Sequence, residues 1–356
     1  MTTPSRARVL VASAAVLLTA ALAAPAHGAD ADVVHDSERI GSRSAPAASP
    51  EVAERSSDLK IKKVNVRWKG KWKKRKMRAS TRVPKVGRLV LVCQPNNTMI
   101  KIVPDDRNAE TQMWLAKYEK KNGEDVVAVK NVRVYKYDTA DDDGRGGTGK
   151  QAHEGLNQQT PVETFSTGYA DGVISTRPGR HLEIGDTGLS PATSLKFNWW
   201  WENFREPRRF QSCKMNAVLT TDMTQTDQVV WHGEADTAPR SIERNVGVLG
   251  TLETRCEADG GDKQITLFTE PDADVSVYTK LIYAEGTLDY HVEEDTLYND
   301  GTGMVGPIDL PGNGMLELSY SKDGSTKRNY FVSSYFITND AKNPELNLCE
   351  VAASRF

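Results

Sequence analysis

Two tryptophan–glycine slots constrain this chain more than any other feature. Trp68-Lys69-Gly70 recurs 163 residues later as Trp231-His232-Gly233. The same ungapped offset superimposes Val83 on Val246, Gly87 on Gly250, Leu89 on Leu252 and Cys93 on Cys256. Further along, Asp138-Thr139 with Asp143-Gly144 matches Asp295-Thr296 with Asp300-Gly301. Pro178-Gly179 before Leu182-Glu183-Ile184 matches Pro311-Gly312 before Leu316-Glu317-Leu318, and Cys213 answers Cys349. One such match is noise, but an ordered series in register is the mark of duplication. The chain reads as two homologous units, residues 59–219 and 225–356.

The duplication also chooses among the three pairings that four cysteines allow. It favours Cys93–Cys213 and Cys256–Cys349, one bridge near the start and end of each unit. Each closes a long loop, worth about 4 kcal/mol by chain entropy. The spacings do not suit a zinc knuckle, so the bridges read as structural rather than metal-binding or redox-active.

Within each unit the apolar pattern has period two. "RLVLVCQ", "TMIKIVP", "DVVAVKNVRVYKY", "KQITLFTE", "DVSVYTKLIY" and "GMLELSYS" are short, β-branched and aromatic, and are separated by Gly, Pro, Asn and Asp. Only "AETQMWLAKYEKKNGED" reads as holding a helical turn or two. The expected fold is all-β: two tandem homologous antiparallel β-sandwich domains, immunoglobulin-like or jelly-roll-like, each with one intradomain disulfide.

Residues 1–28 have the order of a secretory signal peptide: Arg6 and Arg8, an apolar run from Val9 to Ala24, then small residues around Ala26. That run is short for a membrane span, and no later segment supplies a transmembrane anchor. Residues 29–58 are Ala, Ser, Pro and charge, which cannot bury enough surface to offset their ordering entropy; they read as a disordered leader. The expected location is extracellular or on the cell surface.

Several motifs resemble chemistry and fail on inspection. "GRGGTGKQA" approaches a phosphate-binding loop, but Gln151 stands where a magnesium-binding hydroxyl is needed, and Asp141–Asp143 adjoin it. Asp186-Thr187-Gly188 has no second copy, whereas aspartic proteases need two carboxylates sharing a proton. His153, His181, His232 and His291 are scattered, with no HExxH pair. No cofactor is expected; calcium is the one metal considered, with Asp138, Asp141 and Asp143 as weak candidate ligands.

Where the copies differ, function has room to have been added. The Trp and Gly of the slot recur, so Trp68 reads as a core anchor and Gly70 as a turn residue. The cations do not recur. Leu59–Arg88 holds fourteen Lys or Arg and no acid, and most of that run, around Val64–Ser80, reads as one short β-hairpin with a basic face. Arg67, Lys69, Lys71, Lys73, Lys74, Arg75 and Lys76 are the candidate binding cations.

Trp199-Trp200-Trp201 is the second difference, falling near "VSSYF" in the other copy. These three are candidate binding residues, although consecutive strand side chains face opposite ways and three adjacent indoles cannot share one core. The third difference is a polar insertion within residues 145–172, expected to be a long hairpin tip or flap.

Charge divides the same way. Residues 29–220 carry 34 basic and 24 acidic groups, whereas residues 221–356 carry 10 and 24, so the overall −2 conceals a basic half and an acidic half.

The leading expectation is a secreted, non-catalytic binding protein whose basic, Trp-bearing first domain contacts anionic extracellular material such as envelope polymer or polysaccharide. A subunit or inhibitor in a secreted protein–protein complex is the alternative. A hydrolase with a dispersed site is the third reading. Nucleic acid is disfavoured as a partner, because the cations are not interleaved with stacking aromatics.

Overall fold

The computed structural model of the chain describes residues 59–70, 77–94, 97–105, 110–121, 124–134, 167–177, 190–203, 205–224, 227–233, 237–257, 261–285, 289–338 and 342–356. The segment 1–28 expected to be a signal peptide, the segment 29–58 expected to be a disordered leader and the Asp-rich run at 138–143 lie outside the described residues. So do Lys71–Lys76 and residues 145–166 of the insertion.

The first half supplies β1 (Leu59–Lys69), β2 (Arg78–Val83), β3 (Gly87–Gln94), β4 (Asn97–Pro104), β5 (Glu110–Lys121), β6 (Glu124–Val134), β7 (Thr167–Arg177), β8 (Thr193–Glu202) and β9 (Ser212–Asp222). The second supplies β10 (Asp227–His232), β11 (Ser241–Asn245), β12 (Thr251–Cys256), β13 (Lys263–Phe268), β14 (Val275–Glu285) and β15 (Asp289–Tyr298). It continues with β16 (Met304–Asp309), β17 (Asn313–Lys322), β18 (Ser325–Ile337) and β19 (Leu348–Arg355). The described residues are nearly all β, every ladder is antiparallel, and the six quoted period-two segments fall in β3, β4, β6, β13, β14 and β17. Residues 167–172, at the end of the expected flap, belong to β7.

The two halves repeat one strand order. One six-stranded sheet runs β1-β9-β8-β7-β5-β6 and the other β10-β19-β18-β17-β14-β15. The smaller sheets run β2-β3-β4 and β11-β12-β13-β16, the second with one strand more. Register repeats as well: Trp68 lies opposite Cys213, and Trp231 lies opposite Cys349. Cys93–Cys213 and Cys256–Cys349 are both bonded.

Each six-stranded sheet shares a core with its small sheet. In the first half Val64, Val66 and Trp68 of β1 meet Leu89, Leu91 and Cys93 of β3 and Phe197, Trp199 and Trp201 of β8. The second half repeats this around Trp231, Leu252, Cys256, Val332 and Cys349. A third cluster joins the two six-stranded sheets: Trp114, Ala116, Val173 and Ala192 pack against Ile282, Met315, Phe331 and Ala352. The described residues, from 59 to 356, accordingly belong to one compact unit.

Two local expectations need correction. The segment expected to hold a helical turn is β5, a strand between β6 and β7. Met113 and Leu115 enter the first core while Trp114 and Ala116 face the second half, so neither face is polar and the alternation disappears from the sequence. The basic stretch does not form one hairpin either: β1 and β2 belong to different sheets, and only its Arg78–Arg88 end lies in a hairpin, between β2 and β3. Gly70 turns the chain out of the first sheet at φ +56°, its N–H donating to the Gln211 carbonyl at 3.0 Å. Gly233 does the same at φ +78°, donating to the Asn347 carbonyl. Left-handed backbone at both copies explains why the slot keeps its glycine.

Candidate functional site

The triplet Trp199-Trp200-Trp201 divides as strand geometry requires. Trp199 (0 % exposed) and Trp201 (8 %) are core residues, the latter with its ring centroid 5.8 Å from that of Trp68. Trp200 points the other way, half-buried on the outer face of the first six-stranded sheet. One indole of the three therefore reaches solvent, and it does not stand alone.

Pairing across β1, β9 and β8 sets Arg67, Lys214 and Trp200 side by side. The Lys214 ammonium lies 4.4 Å from the centre of the Trp200 ring, a cation–π contact. Two residues along each strand, the row is Asn65, Asn216 and Asn198, continuing to Tyr169 on β7 and Tyr118 on β5. Asn216 Nδ2 donates to Asn198 Oδ1 at 3.1 Å, and Tyr169 stacks on Tyr118 with centroids 4.6 Å apart. The next row holds Lys63, Val218, Lys196 and Asp171. At the opposite margin, exposed Lys69 neighbours Ser212, whose hydroxyl donates to Glu202 at 2.6 Å.

Arg67 and Lys69 are thus exposed at an outer sheet edge, and the structure brings Arg67 together with Trp200. Lys71, Lys73, Lys74, Arg75 and Lys76 lie outside the described residues. Sequence reasoning missed Lys196, Asn198, Lys214, Asn216 and Tyr169. A signal existed: "LKFNWWW" and "CKMNA" alternate apolar and polar, so their polar positions share one face, with Asn198 opposite Asn216 and Lys214 opposite Trp200.

The platform ends where the second half begins. Lys196 Nζ sits 3.9 Å from the Phe356 ring centre and Lys280 Nζ 4.9 Å from that of Tyr118. Burial pushes the Asp171 carboxyl up to about 6; Glu317 across the seam adds to the rise, while Lys196 and Lys280 oppose it. Burial also raises the Tyr118 phenol.

The second half carries no such face. Phe336 lies opposite Cys349, so Tyr335, Glu350 and Val230 occupy the places of Trp200, Lys214 and Arg67. Glu350 is 5 % exposed, and Tyr335 packs on Trp114 with ring centroids 6.1 Å apart. That face is spent on joining the halves.

Calcium candidates Asp138, Asp141 and Asp143 lie outside the described residues. Their counterpart loop bonds to itself: Asp300 accepts from Thr302 and Met304, which hold its carboxyl below the usual range, with the Thr302 hydroxyl as the largest contributor. Among the described residues no cluster of three His, Cys, Asp or Glu is placed to hold a metal ion. None of their helices is long and apolar enough to cross a membrane.

What the arrangement can do is hold a ligand flat. It offers two aromatic rings, an amide pair and a row of cations on one rigid sheet. No protein-family model, curated protein or solved structure matches the chain.

Proposed function

We propose that this chain is an exported, non-catalytic binding protein built from two homologous β-sandwich halves. In this reading its first half holds anionic extracellular polymer on the outer face of the six-stranded sheet. The Arg67–Lys214–Trp200 row carries the proposal, because an exposed Arg67 and half-buried Lys214 and Trp200 stand side by side on adjacent strands. Its counterpart in the second half, Val230–Glu350–Tyr335, has no cation and its central residue is buried. A face needed only for folding has no call for cations beside a half-exposed indole. The Lys and Arg of residues 71–76 extend the same charge along the chain.

A purified envelope fraction tests this. Coulomb attraction at exposed sites is largely screened beyond about 10 Å at 0.1 M salt. Retention should therefore fall steeply as salt rises, and should fall at low salt in Lys214→Gln and in the joint Lys73, Lys74, Arg75 and Lys76→Gln variant. Retention indifferent both to salt and to these substitutions overturns the reading.

A second reading, a subunit or inhibitor in a secreted protein complex, rests on two sheet edges. β1 ends the first six-stranded sheet with exposed Lys60, Lys62 and Lys63, and β15 ends the second with exposed Glu293, Glu294 and Asp295. Open edges of opposite charge suit strand addition by a partner. Salt-independent capture of one protein, with no polymer bound, favours it.

A further inference from the structure

The outer face offers more than positive charge, and that surplus narrows the ligand class. Tyr169 on β7 lies opposite Asn198 on β8, so Trp200 is its diagonal neighbour, about 7–8 Å away between Cα atoms. Tyr169 is 47 % exposed and has one face backed by Tyr118, which fixes its ring. The Asn216–Asn198 bond uses one donor and one acceptor, leaving Asn198 Nδ2 and Asn216 Oδ1 without a partner among the described residues. A donor and an acceptor thus face outward beside two aromatic rings.

Resting on the polymer-binding reading above, we propose that this face recognises a carboxylated polysaccharide. Sugar rings lie on Trp200 and Tyr169, hydroxyls meet Asn198 and Asn216, and a uronate carboxylate meets Lys214 and Arg67.

Each part of that chemistry has its place. A pyranose ring presents a face of C–H bonds, which packs against an electron-rich aromatic ring, and a rim of hydroxyls that both donate and accept. Side-chain amides suit that rim because each carries both functions. A carboxylate beside the ring makes charge-assisted bonds to Lys and Arg. A bare polyphosphate has no flat face and leaves the two rings unused.

The charges on this face are unevenly placed. Arg67 and Lys214 lie on the β1–β9 side of the indole, whereas Asp171 stands on the Tyr169 strand, two residues away. The flanking cations could meet a sugar acid or a nucleic acid strand alike, so single-stranded DNA is included among the probes below.

The full-length secreted chain should be titrated with polygalacturonate, with the same polymer after its carboxyls are reduced to alcohols, with polyphosphate and with single-stranded DNA. Polygalacturonate should bind tightest, and carboxyl reduction should weaken binding at least tenfold. Trp200→Ala and Tyr169→Ala should each weaken it by several-fold to about tenfold, with Trp200→Phe recovering part of the loss. Circular dichroism confirms that each variant keeps its strands. Polyphosphate bound as well as polygalacturonate, with Trp200→Ala without effect, overturns the carboxylated-sugar assignment and leaves the general polyanion reading standing. Preference for DNA also overturns it. Binding to none of the four, together with no salt-sensitive retention on envelope, removes both.

Discussion

Lys214 and Glu350 stand at one position of two sheets with the same strand order, each one residue past its half-cystine, and they meet different surroundings. Lys214 is half-buried beside the Trp200 ring on the outer face of its sheet, whereas Glu350 is closed in where the halves join. Reversing charge at the two sites should therefore have unequal effects. Lys214→Glu should shift unfolding by no more than about 0.5 kcal/mol, as surface changes do, while abolishing polymer retention. Glu350→Lys places an ammonium in a buried position and should cost about 3–5 kcal/mol. Urea denaturation of the two variants beside a retention assay checks both halves of this expectation.

Gly70 and Gly233 pose a similar paired question. Both hold left-handed backbone, so alanine carries a conformational cost of about 1 kcal/mol at each. Their surroundings differ. A Cβ at position 70 would lie 2.6 Å from the Arg209 carbonyl oxygen, while at position 233 the nearest atom is 3.6 Å away. Gly70→Ala should be the more destabilising by at least 1 kcal/mol, because a backbone carbonyl must move. Equal denaturation midpoints in the two variants would contradict this.

How much of this could be read beforehand follows from what each residue touches. Trp68, Cys93 and their counterparts announced themselves because a core anchor and a bridge tolerate few residue types. Strands such as β3 and β14 showed period two. β5 did not, because Trp114 and Ala116 are covered by the other half, and no local pattern reveals which second surface a strand will meet. Trp200 was half legible: alternation says that one of three adjacent indoles must leave the core, without saying which. The rest of the platform was hidden because Tyr169, Asn198 and Lys214 come from three strands whose alignment depends on long-range pairing. The linear cation run drew attention to residues 67–76. The cation beside the indole is Lys214, a single lysine in the alternating run "CKMNA" whose pairing with Trp200 only the sheet register reveals.

The two bridges close loops of similar size, with sequence separations of 120 and 93. Loop-closure entropy varies only with the logarithm of length, so removing either by paired Cys→Ser substitution should cost about 4–5 kcal/mol, and the two losses should agree within about 1 kcal/mol. Differential scanning calorimetry of the two variants provides the comparison. A non-reduced digest should yield a Cys93–Cys213 peptide and a Cys256–Cys349 peptide, with none joining the halves.

Asp171 gives the seam a pH dependence of definite sign. Its carboxyl rises from 3.8 to about 6 because burial disfavours the charged form and Glu317 repels it, against the pull of Lys196 and Lys280. A group that holds its proton more tightly folded than unfolded stabilises the fold fully below its unfolded value. That contribution declines as pH climbs from about 4 to about 6 and is gone above. The span is at most on the order of 3 kcal/mol. Other carboxylates slope the opposite way in acid, so the informative quantity is the difference between wild type and Asp171→Asn, which cannot ionise. Asp171→Asn should match or trail the wild type near pH 4 and be the more stable at pH 8, with the crossover between. Lys196→Gln, which removes a cation that favours the charged form, should widen the wild-type decline. A stability difference between wild type and Asp171→Asn that stays constant from pH 4 to pH 8 would show that this carboxyl is not strained by the seam.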